Sequence, residues 1–583
     1  MVAKLSAVQS RARDSDFVDQ CSLWGLQGQV PLRWSTPLNV PPSPKRRYRS
    51  HYAYPSPDSG QALCWDDLLD LAAWEHLSDF DLVLRLVDFS GLRPILAQRL
   101  GWTSDRGWVP FDPVSMFLLY GWQIVNGWSR AETLRKLADP RYADYAALFG
   151  FEDGIYPTEG GLRHFLTALG RHSEVDGDTV IVDQEGKGPT EVAIQYLNQL
   201  LAGAVALIRE AGLLSPEAWS QALVCPDGML HQAASRLRCA SVQESCYQPT
   251  SPDNPRPCPA KEKKRQGCDC DTLACAAACR HATPRDAEAR FVWYSGSNQS
   301  KSSPNRSTEP TKKDKKKDGE PCYGYRSLPL LLADPNRRFH LTLLADFLAA
   351  NEREEVPGTA LLLQLPLFYP DPSPDSGQAL RLDAVAGDAG FGYDVFLHTV
   401  YTLRAKRVVD LRAHTTDKNK AEWPVRGYDD RDRPVCPFGY AFTANGFDGS
   451  RQRYKWFCGQ ACLHGAQPLI SLQGVVYPPE QCAYRSTDPP YGRILNVGER
   501  FANGSIRLVR DLPVGSSAWK RLYHRARNAS EARNATFEHW KLKRLPVYGG
   551  LRGKAFAYLA DTWATLTTLA RLVREATFAT VSA

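Results

Sequence analysis

The period of the hydrophobic positions changes along the chain. Across residues 63–215 the pattern is helical, in segments opened by capping residues. Ser78 with Asp81 precedes "LVLRLV", Asp112–Pro113 precedes "VSMFLLYGWQIV", and Ser129 stands three residues before Glu132 in "SRAETLRKL". Each supplies a side-chain acceptor, or a proline without an N–H, where the first turn of a helix has donors to spare. From about residue 221 the pattern shortens to apolar runs: "ALVCPDGMLHQ", "RFVWYSGSN", "YGYRSLPLLLAD" and "RFHLTLLADFLA", then "LRLDAVAGDAG", "YDVFLHTVYTL" and "KRVVDLRAH". Several strands in succession, then strand–helix–strand, predict an α/β fold built on a mixed sheet with helices against it. Helical periodicity returns from about 516 to 578.

Polar stretches divide these blocks. Residues 1–62 are rich in Pro, Ser and Arg ("PPSPKRRYRSHYAYPSPDSG") and read as an extended basic arm. The nine residues "PSPDSGQAL" recur at 55–63 and 372–380, which we take as similar loops without functional meaning. Residues 239–321 hold a Cys-rich stretch and then "SKSSPNRSTEPTKKDKKKDGEP", too polar to build a core. Residues 416–505, rich in Gly, Pro, Arg and aromatics, read as an inserted β-rich subdomain. The expected organisation is an arm (1–62), a helical N-terminal domain (63–215) that suits DNA binding and equally an ordinary helical bundle, a core begun at 216–415, the insertion (416–505), and a core completed by helices at 506–583.

Composition narrows the class. A chain of 583 residues is too long for one ordinary domain, and at 43% hydrophobic it can bury sizeable cores. The formal charge of +7 is a mild bias toward polyanions. No uninterrupted apolar run approaches the ~18 residues of a membrane span, and the N-terminus does not read as a signal peptide. We therefore expect a cytoplasmic protein with no membrane partner, whose 15 cysteines are reduced. Two cysteine groups are candidate structural Zn2+ ligands: Cys268, Cys270, Cys275 and Cys279 near His281, and Cys436, Cys458, Cys462 and Cys482. The spacing of the first is not a standard ligand pattern, and free thiols are an equal alternative for both.

Candidate chemistry lies in carboxylates. In "AVAGDAGFGYDVF", Asp388 follows an apolar strand and is surrounded by small residues. Ligands gather at strand tips of this kind in α/β sheets, although Asp388 equally suits a helix cap. In the closing region Tyr523, Arg527 and Glu531 are spaced four and four, hence on one helix face, and Lys541 falls near the azimuth of Tyr523 on a continued helix. A solvated face with i,i+4 ion pairs gives the same pattern. For a partner on the first strand, Asp227 in "VCPDGML" competes with Asp183 in "TVIVDQEG". Asp183 precedes a long stretch that reads as helical, "TEVAIQYLNQLLAGAVALIREAG", whereas Asp227 precedes the run of strands; Asp227 is preferred.

Asp227, Asp388 and Glu531 in this order resemble the carboxylate triad of DDE transposases of bacterial insertion sequences. "DAEARFVWYSGSN" and "CYGYRSLPLLLAD" are similar to that family's second-strand region, "VAGDAGFGYD" to its second-aspartate motif, and Tyr523, Arg527 and Glu531 to its Tyr–Arg–Glu–Lys signature. The likeness covers about 221–570. Departures are a Tyr-to-Arg spacing one residue longer, Glu538 where the family lysine falls, with Lys541 as its substitute, Pro226 before the first aspartate, and the Cys-rich insertion.

The resemblance implies a ribonuclease H-like core and Mg2+-dependent cleavage and strand transfer of double-stranded DNA at element ends and target, by a homodimer on DNA in the bacterial nucleoid. Two Mg2+ ions, with Mn2+ as a substitute, would be held by Asp227, Asp388 and Glu531, because hard cations take carboxylate oxygens. Tyr523, Arg527 and Lys541 would contact DNA. A stand-alone nuclease of the same fold, a catalytically inactive transposase-derived DNA-binding protein, and a zinc-dependent regulatory module, which would leave the carboxylates unexplained, are the alternatives.

Overall fold

The computed structural model describes residues 31–35, 47–54, 76–102, 108–174, 177–184, 188–235, 286, 288–294, 320–334, 337, 339–371, 379–410, 426–429, 433–448, 450, 453–472, 475–480, 482, 494–498, 511–512, 514 and 517–581. The first cysteine group, Cys268 to Cys279 with His281, lies outside them.

The capping residues read from sequence open helices. Ser78 begins α1 (Asp79–Leu86) and accepts the Asp81 N–H at 3.1 Å. After α2 (Leu92–Arg99), Asp112 begins α3 (Pro113–Val125) and accepts from Val114 N at 3.0 Å. Ser129 begins α4 (Arg130–Leu137) and accepts from Glu132 N at 3.2 Å. Helices α5 (Ala143–Leu148), α6 (Glu159–Arg171), α7 (Asn198–Glu210) and α8 (Pro216–Ser220) follow. One segment departs from the helical expectation. Gly188–Ala193 pairs antiparallel with Thr179–Gln184 as a hairpin, and helix resumes only at Asn198. The alternation of Thr190 and Val192 suits this pleated pair, and it outweighs the helix-forming residues that follow.

Among the described residues the principal sheet has seven strands: β1 (Ala222–Pro226), β2 (Met229–Gln232), β3 (Arg290–Tyr294), β4 (Glu320–Ala333), β5 (His340–Ala349), β6 (Leu382–Gly387) and β7 (Lys406–Val409). The long β4 organises it. One edge of β4 pairs antiparallel with β3, β2 and β1 in turn, and the other edge with β5. On the far side of β1, β6 runs parallel to β1, and β7 runs parallel to β6. Helices α9 (Glu355–Phe368) and α10 (Asp394–Thr402) make the connections β5–β6 and β6–β7.

Strand alternation sorts side chains onto two faces. Val224, Leu330, Leu332 and Val385 enter the larger core, whereas Leu223, Cys225, Ala384, Ala386 and Val408 enter a smaller one. That smaller core is closed by α11 (Ser517–His539), through Trp519, Ala526 and Ala529. The alanines let the helix lie close to the sheet.

The last helix, α12 (Gly550–Val581), packs on α1, α3, α6, α7 and β5, so the N-terminal helices and the sheet share one core. Trp563 is its centre, with ring centroids 4.9 Å from Phe80 and 5.3 Å from Phe117. Gly121 of α3 makes room for it, since a Cβ there would stand 2.0 Å from Trp563 Cε2.

The insertion leaves after β7, and its described residues are β-rich: β8 (Thr443–Asp448), β9 (Arg453–Phe457) and β10 (Ile494–Gly498) form an antiparallel sheet. Its two ends are tied together where it joins the core. Arg407 of β7 donates to both carboxylate oxygens of Asp511, at 2.7 and 2.6 Å. Among the described residues no helix is long and apolar enough to cross a membrane.

Candidate active site

Parallel strands end on the same side of a sheet, so the residues following β1 and β6 are brought together by topology alone. Those residues are Asp227 and Asp388. Both continue the alternation of the face under α11: Leu223 and Cys225 lead to Asp227, Ala384 and Ala386 to Asp388. Pro226 ends β1 rather than interrupting it. Its partner is Leu330, and the next N–H, of Asp227, donates to Pro329 O at 3.2 Å.

The two aspartates are electrostatically coupled. Burial raises the Asp388 carboxyl above its ordinary range, and the negative charge of Asp227 adds to the rise. One Asp388 oxygen also accepts the Gly390 N–H at 2.8 Å, capping the short turn Ala389–Phe391. The metal and cap readings of Asp388 are thus compatible, because a carboxylate has further lone pairs. The small neighbours have local reasons too. A Cβ at Gly387 would press on Phe391 at 3.2 Å, and one at Gly390 would lie 2.8 Å from Asp388 Oδ1.

Helix α11 carries the third element. Arg527 Nη1 is 2.9 Å from Asp227 Oδ1, and Nη2 is 3.7 Å from Glu531 Oε1. Burial disfavours the guanidinium charge, but Asp227, Tyr523, Cys225 and Asp388 together outweigh it and hold Arg527 more firmly protonated than usual. Glu531 reaches this chain of charges from a side chain still 59% exposed. Tyr523 stacks on Trp519 at 4.2 Å; burial, with Asp410 and Asp388 nearby, pushes its hydroxyl up. The structure therefore gathers Asp227, Asp388, Tyr523, Arg527 and Glu531.

It does not gather Lys541. The helix ends at His539, Lys541 takes a left-handed φ of 62°, and the turn is closed by Leu542 N to Phe537 O at 2.8 Å. The stripe that a continued helix would extend to Lys541 is cut there. Its side chain passes near α3, with Cδ 3.5 Å from where a Gly127 Cβ would be. The competing Asp183 is exposed on the separate hairpin.

One residue of the site escaped the sequence reading. Glu354, just before α9, pairs with Arg326 of β4 at 2.7 Å. It reaches the aspartates because residue 228 is glycine: a Cβ there would stand 2.7 Å from Glu354 Oε1. Burial pushes its carboxyl up to about 7; Arg326 opposes this, while Asp388 and Asp227 reinforce it. The only sequence signal was an acidic pair at a helix start, which ordinarily complements the helix dipole.

Asp227, Asp388, Glu531 and Glu354 are oxygen donors, the type Mg2+ takes. Among the described residues, no three His, Cys, Asp or Glu side chains are gathered so as to hold one ion. In this arrangement the positive charges among the carboxylates are Arg527, on Asp227, and Arg326, on Glu354. In the insertion, Cys436, Cys458, Cys462 and Cys482 are not joined by disulfides. Cys436 Sγ accepts the Tyr440 N–H at 3.3 Å. Burial raises the Cys436 thiol, and Cys458 and Cys482 raise it further. Cys462 is raised by burial and by the same two neighbours.

No protein-family model matches the chain, and no curated protein matches it significantly.

Proposed function

We propose that this protein is a DDE transposase of the insertion-sequence type, with a ribonuclease H-like core that cleaves and joins double-stranded DNA as a dimer. The observation that carries the reading is the meeting of Asp227 and Asp388, 161 positions apart in the chain by their numbers, at adjacent parallel strand ends beneath the helix that bears Arg527 and Glu531. The sheet, with antiparallel β1, β4 and β5 followed by parallel β6 and β7, supports the ribonuclease H-like assignment.

Asp227, Asp388 and Glu531 would hold Mg2+, which when bound supplies a Lewis acid for displacement at phosphorus. Arg527, now on Asp227, carries a permanent charge suited to a phosphate oxygen. Tyr523 presents a neutral hydroxyl beside Asp388 and Asp410. A structural Zn2+ on Cys436, Cys458, Cys462 and Cys482 belongs to the same proposal, since thiolates are zinc ligands; zinc content of the purified chain tests it separately.

The experiment is Asp388→Asn in the full chain, assayed for DNA binding and for nicking in Mg2+ with element-end DNA. We expect binding within about twofold of wild type, because affinity comes mainly from phosphate contacts, and no detectable nicking. Nicking near the wild-type rate would exclude the carboxylate assignment. If the wild-type chain itself binds the DNA but does not nick it, an inactive DNA-binding derivative is favoured; if the wild-type chain nicks without preference for element ends, a stand-alone nuclease is.

A further inference from the structure

A groove of about 620 Å³ runs along the outer side of α11, between that helix and the β4–β5 connection. Its helix wall is the stripe Arg521, His524, Arg525 and Glu531, the last three standing three, four and ten residues after Arg521 and so on one side of the helix, with Arg525 half-buried and the others exposed; Arg337 and Asp334 form the other wall. Ala529 and Ala532 keep its floor low.

The arginines here differ from those elsewhere in the core. Arg527, Arg533 and Arg407 each have a carboxylate partner. Arg337 donates to Leu213 O at 3.0 Å. Arg521 and Arg525 have no hydrogen bond or ion pair among the described residues, and both open into the groove. Two cations on one wall, one helical turn apart and unpaired among the described residues, are positioned for an anion that those residues do not supply.

We propose that this groove is a track for one backbone strand of double-stranded DNA, with Arg521 and Arg525 on phosphates two steps apart and the strand passing over Glu531. Four residues of helix advance about 6 Å, close to two steps of about 3.4 Å per phosphate along a duplex strand. The track ends at Glu531, whose exposed carboxylate faces the groove while its inner side meets Arg527. Asp334 and Glu531 are the unfavourable charges for a polyanion, and they outnumber neither the arginines nor their reach. This inference rests on the DNA reading above and adds where the strand lies.

The test compares wild type with Arg521→Gln/Arg525→Gln in the full chain. Fluorescence anisotropy with a labelled duplex is measured from 50 to 300 mM salt. Having no partners among the described residues, the two arginines can be replaced without loss of folding, and the thermal midpoint checks that. We expect affinity at 100 mM salt to fall about tenfold and the slope of log K against log salt to shrink by about 2, near 0.9 for each lost phosphate contact. Arg521→Lys/Arg525→Lys should restore most of the slope. Wild-type binding with an unchanged slope in the glutamine variant overturns the groove alone. A wild-type chain that binds no duplex at any salt overturns the DNA reading with it.

Discussion

Arg527 donates to Asp227 across 300 residues of sequence, at 2.9 Å. The same guanidinium lies 3.7 Å from Glu531, so one cation spans two of the three carboxylates that define the proposed centre. With Asp388 close behind Asp227, this cation offsets a concentration of negative charge that would otherwise oppose folding.

Arg527→Ala leaves Asp227 buried and uncompensated beside Asp388. We expect a loss of roughly 2–3 kcal/mol in urea unfolding. A divalent cation can replace the missing charge, so 10 mM Mg2+ should raise the midpoint of the variant more than that of wild type. An equal Mg2+ response in both proteins would count against cation binding at these carboxylates.

Glu354 gives the site a pH signature. Its carboxyl is raised to about 7 from an ordinary value of 4.5. Between these values the folded chain keeps a proton that the unfolded chain has released. Stability from this residue therefore falls as pH rises through the window, and the penalty is complete above about pH 7. Glu354→Gln removes the titration and keeps an acceptor for Arg326. Relative to wild type the variant should gain up to about 3 kcal/mol between pH 4.5 and pH 8. A difference that stays constant with pH would show that Glu354 is already ionised in the folded protein.

Much of this site was legible because its determinants are local or periodic. Ser78, Asp112 and Ser129 cap helices through neighbours two or three residues away, and strand alternation carries directly to Asp227 and Asp388. The four-residue spacing of Tyr523, Arg527 and Glu531 holds because helix runs through all three. Other features depend on what lies across the sheet. Glu354 joins the site only because Gly228 has no side chain, a relation between segments about 125 residues apart by their numbers. Lys541 was misplaced because the helix ends in a left-handed residue that is not glycine. Arg533, which the charge pattern of α11 would leave at the surface, is fully buried on Asp561 of α12.

That buried pair joins both closing helices to the sheet. Arg533 Nε and Nη2 meet Asp561 at 3.0 and 2.8 Å, Nη2 also donates to Ser327, and Thr342 donates to Asp561 at 3.1 Å. Asp561→Ala strands a buried guanidinium and should cost about 3–5 kcal/mol. Arg533→Met/Asp561→Leu removes both charges and should lose less than either single variant. A double-mutant cycle by urea denaturation decides it; additive losses would mean the two side chains are not energetically coupled.

Two buried histidines should make the core acid-sensitive in different ways. His231 Nδ1 donates to Leu542 O at 2.8 Å, which leaves Nε2 to accept the Ser327 hydroxyl at 2.7 Å, so the ring is neutral with both nitrogens satisfied. His340 has a buried Nε2 without a partner among the described residues. Burial depresses His231 to about 4 and His340 to about 3; Arg533 lowers both, Arg571 also lowers His340, and the Leu542 carbonyl partly offsets the effect at His231. Below the ordinary value near 6.5 the unfolded chain takes up protons that the folded chain refuses. Stability is therefore complete above about pH 6.5 and is lost as pH falls toward 4. His340→Phe gives up no Nε2 hydrogen bond and should flatten the acid limb, narrowing the stability difference between pH 7.5 and pH 5 by about 1–2 kcal/mol. His231→Phe strips partners from Leu542 O and Ser327, so it should lose about 1–3 kcal/mol at pH 7.5 as well. Urea midpoints at the two pH values separate the cases, and an unchanged acid limb in His340→Phe would show that this ring takes up a proton in the folded protein near its ordinary pKa.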